Sequence, residues 1–343
     1  MQASPQDNLP AKGATSRLWL YGPFVLLAIF IVIWSAVWAF GARQVGQVLD
    51  GFIAREASRG RDWVCPERSI TGFPFRLQLT CAKPQLIERG PNGMQREASL
   101  AALSLHGRIT SPGHYIALLE SPMTFRLDPD RDVTLRWQSA RGSFRAGAAG
   151  IAELSVEILR PEAMLGIGEA RDERISAKDF AVHFRRSPGD APGSDLLLKI
   201  GEISHPALDR AIGNPDPLTL EMQATAPGLL LDPSRRIEEV LEAWRLANGQ
   251  ARIVLAKASK GPAALDLSGV LGLDGQRRLA GNLQGRARGV DQVLGGVTRR
   301  MGLEIGNLLG RMGGGQGMPV ALTFENGRMR FGPLQLMRLE PLY

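Results

Sequence analysis

Residues 18–40, LWLYGPFVLLAIFIVIWSAVWAF, run for 23 positions without an Asp, Glu, Lys or Arg. A helix rises about 1.5 Å per residue, and a bilayer's hydrocarbon core is about 30 Å thick, so roughly 20 apolar residues cross it. The segment meets that length. Trp19 and Tyr21 lie at one end and Trp34 and Trp38 towards the other, where amphipathic rings favour the headgroup zone. Pro23 falls near the start, where a missing N–H costs least. The expectation is a single-pass anchor over 18–40, preceded by a polar tail over 1–17. A cleaved signal peptide is the competing reading; its apolar region is about 7–15 residues, and Ala39-Phe40-Gly41 is a poor small-x-small site.

Charge gives orientation only weakly, because Lys12 and Arg17 before the segment are answered by Arg43, Arg55, Arg59 and Arg61 after it. Cysteine usage says more. Cys65 and Cys81 are the two cysteines of the chain and flank CPERSITGFPFRLQLTC. An even count at close spacing, in a large domain beyond an anchor, suggests a disulfide in an oxidising compartment. Two buried thiols are the alternative. Two thiols without further ligands do not close a zinc shell, so no metal is expected. The reading is a bacterial inner-membrane protein, N-terminus cytoplasmic, with the bulk of the chain periplasmic.

After the anchor, Val45, Val48, Leu49, Phe52 and Ile53 recur at helical spacing and place a stalk helix over 41–62. From Trp63 the period becomes two. Phe73, Phe75, Leu77, Leu79 and Cys81 alternate with polar residues, as do Met123, Phe125 and Leu127, then Val133, Leu135 and Trp137. Leu154, Val156 and Ile158 follow, then Phe180, Val182 and Phe184, Leu196 to Ile200, and Leu218 to Met222. Ser-Pro, Asp-Pro, Pro-Gly and Asn-Pro pairs between them are turn chemistry. This predicts a β-rich domain over 63–230 built as an antiparallel meander.

Over 231–343 the sheet is expected to continue with helices added. A helix opens at Asp232-Pro233-Ser234 and runs to 247; strands occupy 251–257, 264–273 and 278–287; a second amphipathic stretch covers 289–310. Asp274-Gly275 and Asn326-Gly327 are hairpin turns. The fold class is mainly β with a few helices. The expected architecture is a long curved antiparallel sheet, partly closed and groove-like, covered by the amphipathic helices. Forty glycines and 22 prolines favour such short elements.

No catalytic constellation emerges. The histidines His106, His114, His183 and His205 form no metal-binding pair, and there is no nucleophile elbow, P-loop or dinucleotide fingerprint. His183 sits on the polar side of its strand and reads as solvated. The net charge of +7 is carried by dispersed arginines, which does not make a nucleic-acid footprint; attraction to anionic lipid headgroups is its functional version. No enzyme activity, cofactor or nucleic-acid partner is expected.

The segment Gly72-Phe73-Pro74-Phe75-Arg76 between the two cysteines, with the ending FENG…FGPL at 324–334, resembles an uncharacterised proteobacterial family, DUF2125. The block LDLSGVLGLDGQRRLAGNLQGRARG also resembles repeats of AsmA-like envelope proteins, which build curved sheets and are associated with lipid handling between membranes. The resemblance implies lipid binding or transfer in envelope maintenance, with phospholipid or fatty acid as ligand. Phe125, Leu135, Trp137, Phe180 and Phe184 are the candidate groove lining. The alternative is a non-catalytic scaffold or assembly factor that works through other envelope proteins. For Phe73 and Phe75 the expectation is a shared face anchored in the core, with Pro74 blocking ladder pairing; a lipid-entrance wedge is the alternative.

Overall fold

The computed structural model describes residues 17–89, 94–128, 131–147, 150–167, 170–189, 192–232, 235–289, 317–332 and 334–343. The tail over 1–16, the helix start at Pro233-Ser234 and the stretch 290–316 lie outside the described residues. One helix, α1 (Arg17–Ala57), contains both the apolar segment and the stalk. Its length, about 60 Å at 1.5 Å per residue, is twice what a bilayer core requires. None of its most apolar window is buried inside the protein.

The strands follow in chain order. β1 (Arg61–Val64), β2 (Glu67–Thr71), β3 (Arg76–Ala82) and β4 (Gln85–Arg89) precede two long strands, β5 (Gln95–Arg108) and β6 (Ser111–Asp128). Then come β7 (Arg131–Arg136), β8 (Ser139–Gly147), β9 (Gly150–Leu159), β10 (Glu162–Ile167), β11 (Ala170–Ser176), β12 (Asp179–Arg186) and β13 (Gly193–Ile203). Helix α2 (Pro206–Ile212), β14 (Leu218–Pro227) and helix α3 (Ile237–Leu246) lead into β15 (Gln250–Lys260), β16 (Ala263–Leu273) and β17 (Leu279–Arg288). β18 (Met318–Glu325), β19 (Arg328–Phe331) and β20 (Leu334–Arg338) complete a single sheet of 20 strands among the described residues.

Every strand pair is antiparallel. From β12 onward each strand pairs with the next in sequence. Local pairing of this kind needs no crossover helix. Earlier in the chain the meander is folded double. β5 pairs with both β3 and β4, β6 with both β7 and β8, and the return goes through β9 to β12 and through β10 to β11. The expected meander is therefore present, as a large antiparallel sheet that does not close.

A crease explains the doubling. Cys65-Pro66, Lys83-Pro84, Ala101, Ser121-Pro122, Trp137-Gln138, Arg160-Pro161 and Ala177-Lys178 lie opposite one another across successive strands. Proline cannot donate to a ladder and is confined to such breaks. Lys83 and Arg160 take left-handed backbone there, at φ 49° and 50°. Each adds a residue of the bulge kind, so alternation shifts from Leu79 and Cys81 to Leu86, and from Val156 and Ile158 to Ala163 and Leu165. Backbone groups at the crease still pair, for instance Arg160 N–H to the Lys178 carbonyl at 2.9 Å and Ala177 N–H to the Pro161 carbonyl at 2.9 Å. On one side lies a short plate, β1, β4, β7, β10 and β11 with halves of β5 and β6. On the other lies a long plate that runs on to β20.

Two contacts finish the far end. Trp244 of α3 donates its indole N–H to the Pro227 carbonyl at 2.8 Å. Glu242 of the same helix accepts from Arg245 at 2.8 Å, from Arg277 at 3.3 Å and from the Tyr343 hydroxyl at 2.9 Å. Arg277 also stacks over the Tyr343 ring at 5.3 Å. The Arg245 guanidinium first, then the Tyr343 hydroxyl and Arg277, hold the Glu242 carboxyl at about 2 against an ordinary 4.5. Its contribution is complete above the ordinary carboxylate range and is lost as pH falls through the lowered value. Wild-type protein should therefore melt above Glu242→Gln at about pH 6, with the difference shrinking below about pH 4.5 and closing near pH 2. Thermal melting across that range checks it.

Candidate functional site

The long plate has one apolar side from end to end. Cys81, Leu103, Leu119, Ala140, Ile158, Phe180, Ile200, Leu220, Ala258, Leu265, Ala287 and Met318 are successive register partners across the sheet. Two residues further along each strand, a parallel line runs through Leu79, Leu105, Val156, Val182, Leu198, Met222, Leu267 and Val320. The opposite side carries ion pairs between neighbouring strands: Arg141–Glu157 at 2.5 Å, Arg185–Asp195 at 3.1 Å and Arg288–Asp266 at 2.9 Å. Period-two alternation thus separates an apolar side from one that carries the charges, with Ile116 and Leu118 of β6 as exposed apolar residues on the latter.

Burial differs along that apolar side. In the C-terminal strands it closes on itself: Ala224, Ile253, Leu267, Leu283, Ala287, Met318, Val320 and Phe324 are buried in one cluster. Gly281, at φ 136°, lets β17 approach β16 there, since a Cβ would stand 2.2 Å from the Val270 carbonyl oxygen. In β3, β5, β6, β9 and β12 the corresponding leucines, isoleucines and Phe180 stay half-exposed. Within the C-terminal strands, beside that cluster, lies an apolar pocket of about 390 Å³ lined by Leu218, Leu265, Met318, Val320, Phe331 and Lys260 among others.

Among the described residues Lys260 is the one charge on that pocket's wall. Its side chain is 5% exposed, and its Nζ reaches Asp209 Oδ1 of α2 at 2.5 Å and the Asp216 carbonyl. Asn214 donates to the Lys260 carbonyl at 3.4 Å. The pair ties α2 to the sheet while directing the ammonium away from the apolar space.

The proposed groove residues divide between the plates. Phe180 and Phe184 lie on the apolar side of the long plate, Phe180 opposite Ile158 and Ile200, Phe184 opposite Leu154 and Leu196 and 8% exposed. Phe125 and Leu135 belong to the short plate, opposite Val133 and Met123. Trp137 sits on the crease, its indole donating to the Leu119 carbonyl at 3.0 Å and its backbone N–H to Ser121 Oγ at 3.3 Å.

Gly72–Arg76 departs from the core-anchor expectation. It is a turn between β2 and β3, closed by Arg76 N–H to the Gly72 carbonyl at 2.9 Å. Gly72 has φ 107°, and a Cβ on it would lie 2.8 Å from the Arg76 carbonyl oxygen. Phe73 and Phe75 are 54% and 59% exposed, not core residues. Their partners come from the anchor. Trp38 meets Phe73 edge-on at 5.8 Å, and Trp34 meets Phe75 at 5.8 Å. The same indoles donate to the Arg76 and Pro74 carbonyls, each at 2.8 Å. Cys65 and Cys81 are bonded, with Cα atoms 5.6 Å apart, which joins the crease to the end of β3 away from this turn. Cross-linking a loop of that length stabilises by about 3 kcal/mol in the chain-entropy model.

On the charged side, Ser155, His183, Asp195 and Thr225 line a cleft of about 520 Å³. His183 is not a free solvated ring: its Nδ1 lies 3.0 Å from Ser155 Oγ. Desolvation pulls Asp195 upward, but hydrogen bonds from Ser187, Arg185 and Thr225 together outweigh it and hold the carboxyl below its ordinary value. A carboxylate so saturated stays ionised and is poorly placed to act as a base. His205 caps α2, accepting the Leu208 N–H on Nδ1 at 3.1 Å with Nε2 3.2 Å from Glu173.

A large open antiparallel sheet, led by a helix long and apolar enough to cross a membrane, defines the class. The chain belongs to the DUF2125 family, described as uncharacterised proteins conserved in bacteria, whose family model matches residues 38–340. That span takes in Trp38, the aromatic turn and the sheet. No curated protein and no solved structure matches the chain significantly.

Removing Asp209 strands a buried ammonium against an apolar wall, which costs about 3–5 kcal/mol. Asp209→Ala should therefore lower the melting temperature well below wild type. Lys260→Met, which removes the charge and keeps the volume, should cost much less. Thermal unfolding of both variants in neutral detergent checks the order.

Proposed function

We propose that the protein is a bacterial inner-membrane lipid-binding protein of the envelope, with a cytoplasmic N-terminus and a periplasmic sheet whose apolar side forms a groove for acyl chains. The observation that carries this reading is the uninterrupted apolar line from Cys81, whose register partner Arg68 pairs with Asp50 of α1, to Met318 at the pocket. At about 4.8 Å between strands, those register partners extend roughly 50 Å, against about 30 Å for a bilayer core. Each methylene taken from water contributes about 0.8 kcal/mol, so a long chain needs only partial cover to bind firmly. The disulfide favours an oxidising compartment. The resemblance of the C-terminal block to AsmA-like repeats points the same way by analogy of fold, which alone does not establish function.

A scaffold reading rests on the C-terminal cluster, where Ile253, Leu283 and Phe324 are buried by neighbouring side chains and do not line the pocket. Lipid content separates the two. Native mass spectrometry of the full chain in neutral detergent should find phospholipid or fatty acid near one per protein. Phe180→Asp, on a half-exposed part of the line, should lower that at least tenfold while the protein stays folded. A chain that arrives empty and remains empty when offered lipid, or retains lipid equally in the variant, would assign the sheet to protein partners instead.

A further inference from the structure

Next to the anchored turn, on the charged side, lies a second cleft of about 350 Å³ lined by Arg76, His106, Arg108 and His114 together with Ile116 and Leu118, with no acidic residue in its wall among the described residues. Arg76 and Arg108 are direct register partners on β3 and β5. Like charges facing each other across a ladder destabilise it. On neighbouring strands several arginines are matched across the ladder, Arg126 by Glu97 at 3.1 Å, Arg141 by Glu157 at 2.5 Å and Arg185 by Asp195 at 3.1 Å, whereas Arg328 and Arg338 at the far edge also face each other. Among the described residues Arg76 and Arg108 have no ion-pair partner. His106 Nε2 is buried there without a hydrogen-bond partner. Two unneutralised guanidiniums and an orphaned ring nitrogen converging on one cleft are the complement of an oxyanion, and paired arginines suit phosphate in particular.

Position selects the source of that phosphate. The Arg76 carbonyl is held by Trp38 and the Pro74 carbonyl by Trp34, both within the uncharged run over 18–40. The cleft thus opens at the level where the anchor leaves the hydrocarbon, with the exposed rings of Phe73 and Phe75 beside it. Aromatic rings favour this zone, and basic groups next to it meet anionic headgroups. We propose that Arg76, Arg108, His106 and His114 form a headgroup site for an anionic phospholipid, with Phe73 and Phe75 seated among the first methylenes of the bilayer. The proposal rests on the anchor and is independent of acyl chains being carried on the apolar side of the sheet.

The test uses the full chain in a neutral detergent, offered phosphatidylglycerol, phosphatidylcholine, inorganic phosphate or a free fatty acid, with retention read by native mass spectrometry. One phosphatidylglycerol should stay bound in preference to phosphatidylcholine. Arg76→Gln with Arg108→Gln should weaken it at least tenfold, leaving fatty-acid retention unchanged. The double variant should melt at or above wild type, because it removes a repulsive pair, so a folding defect is not the expected cause of lost binding. Equal phosphatidylglycerol retention in the double variant overturns the site, and inorganic phosphate competing as well as lipid overturns the headgroup assignment. Loss of fatty acid from wild type alone counts against the carriage reading and leaves this one standing.

Discussion

The sheet begins against a helix, and that contact fixes everything after it. An edge strand presents unpaired backbone groups and is a template for unwanted pairing. Here the first strands are covered by α1. A methyl on Gly41 would touch Leu77 at 3.6 Å, one on Gly46 would touch Ile70 at 3.9 Å, and Phe52 packs on Trp63 at 5.9 Å. Arg68 pairs with Asp50 at 2.5 Å and Arg61 with Glu56 at 2.6 Å, so helix and strand run alongside each other over several turns. Because the first part of α1 is its apolar run, this contact fixes the sheet relative to the segment long and apolar enough to cross a membrane.

Antiparallel pairing between neighbours then propagates the arrangement without long crossovers. Each strand inherits its register from the one before, and the apolar side stays on one side provided no residue slips. The crease is where slips are absorbed. Prolines and the left-handed Lys83 and Arg160 insert residues in step on successive strands, so alternation changes parity without exchanging the two sides. Contact of α1 with Ile70 and Leu77 on one plate and Trp63 on the other places the apolar residues of both plates towards the same helix.

Much of this was legible from alternation alone: strands near 123–127, 133–137, 154–158, 180–184 and 251–287 stand where period two placed them, and Asn326-Gly327 turns with both residues at positive φ. Local pattern failed where a distant partner decides. Phe73 and Phe75 continue the alternation into β3, yet the turn closes at Arg76 and their rings pack on tryptophans 35 to 41 residues earlier. The Lys260–Asp209 pair spans 51 residues, and the Arg76–Arg108 juxtaposition depends on register, which sequence spacing does not encode. β20 leaves little trace in the alternation because LQLMR is short. The helix expected from 233 is α3 from Ile237 onward, where Val240 and Trp244 find a surface to bury on.

The central claim is that acyl chains lie on the apolar side of the sheet and not on the charged one. A photo-crosslinking residue placed at Ile158, on the apolar line, and separately at its neighbour Glu157, on the charged side, tests this directly in cells whose phospholipids are radiolabelled. The account predicts a lipid adduct on the chain from position 158 and background from position 157. Adducts at both positions alike, or protein adducts alone at 158, would contradict it.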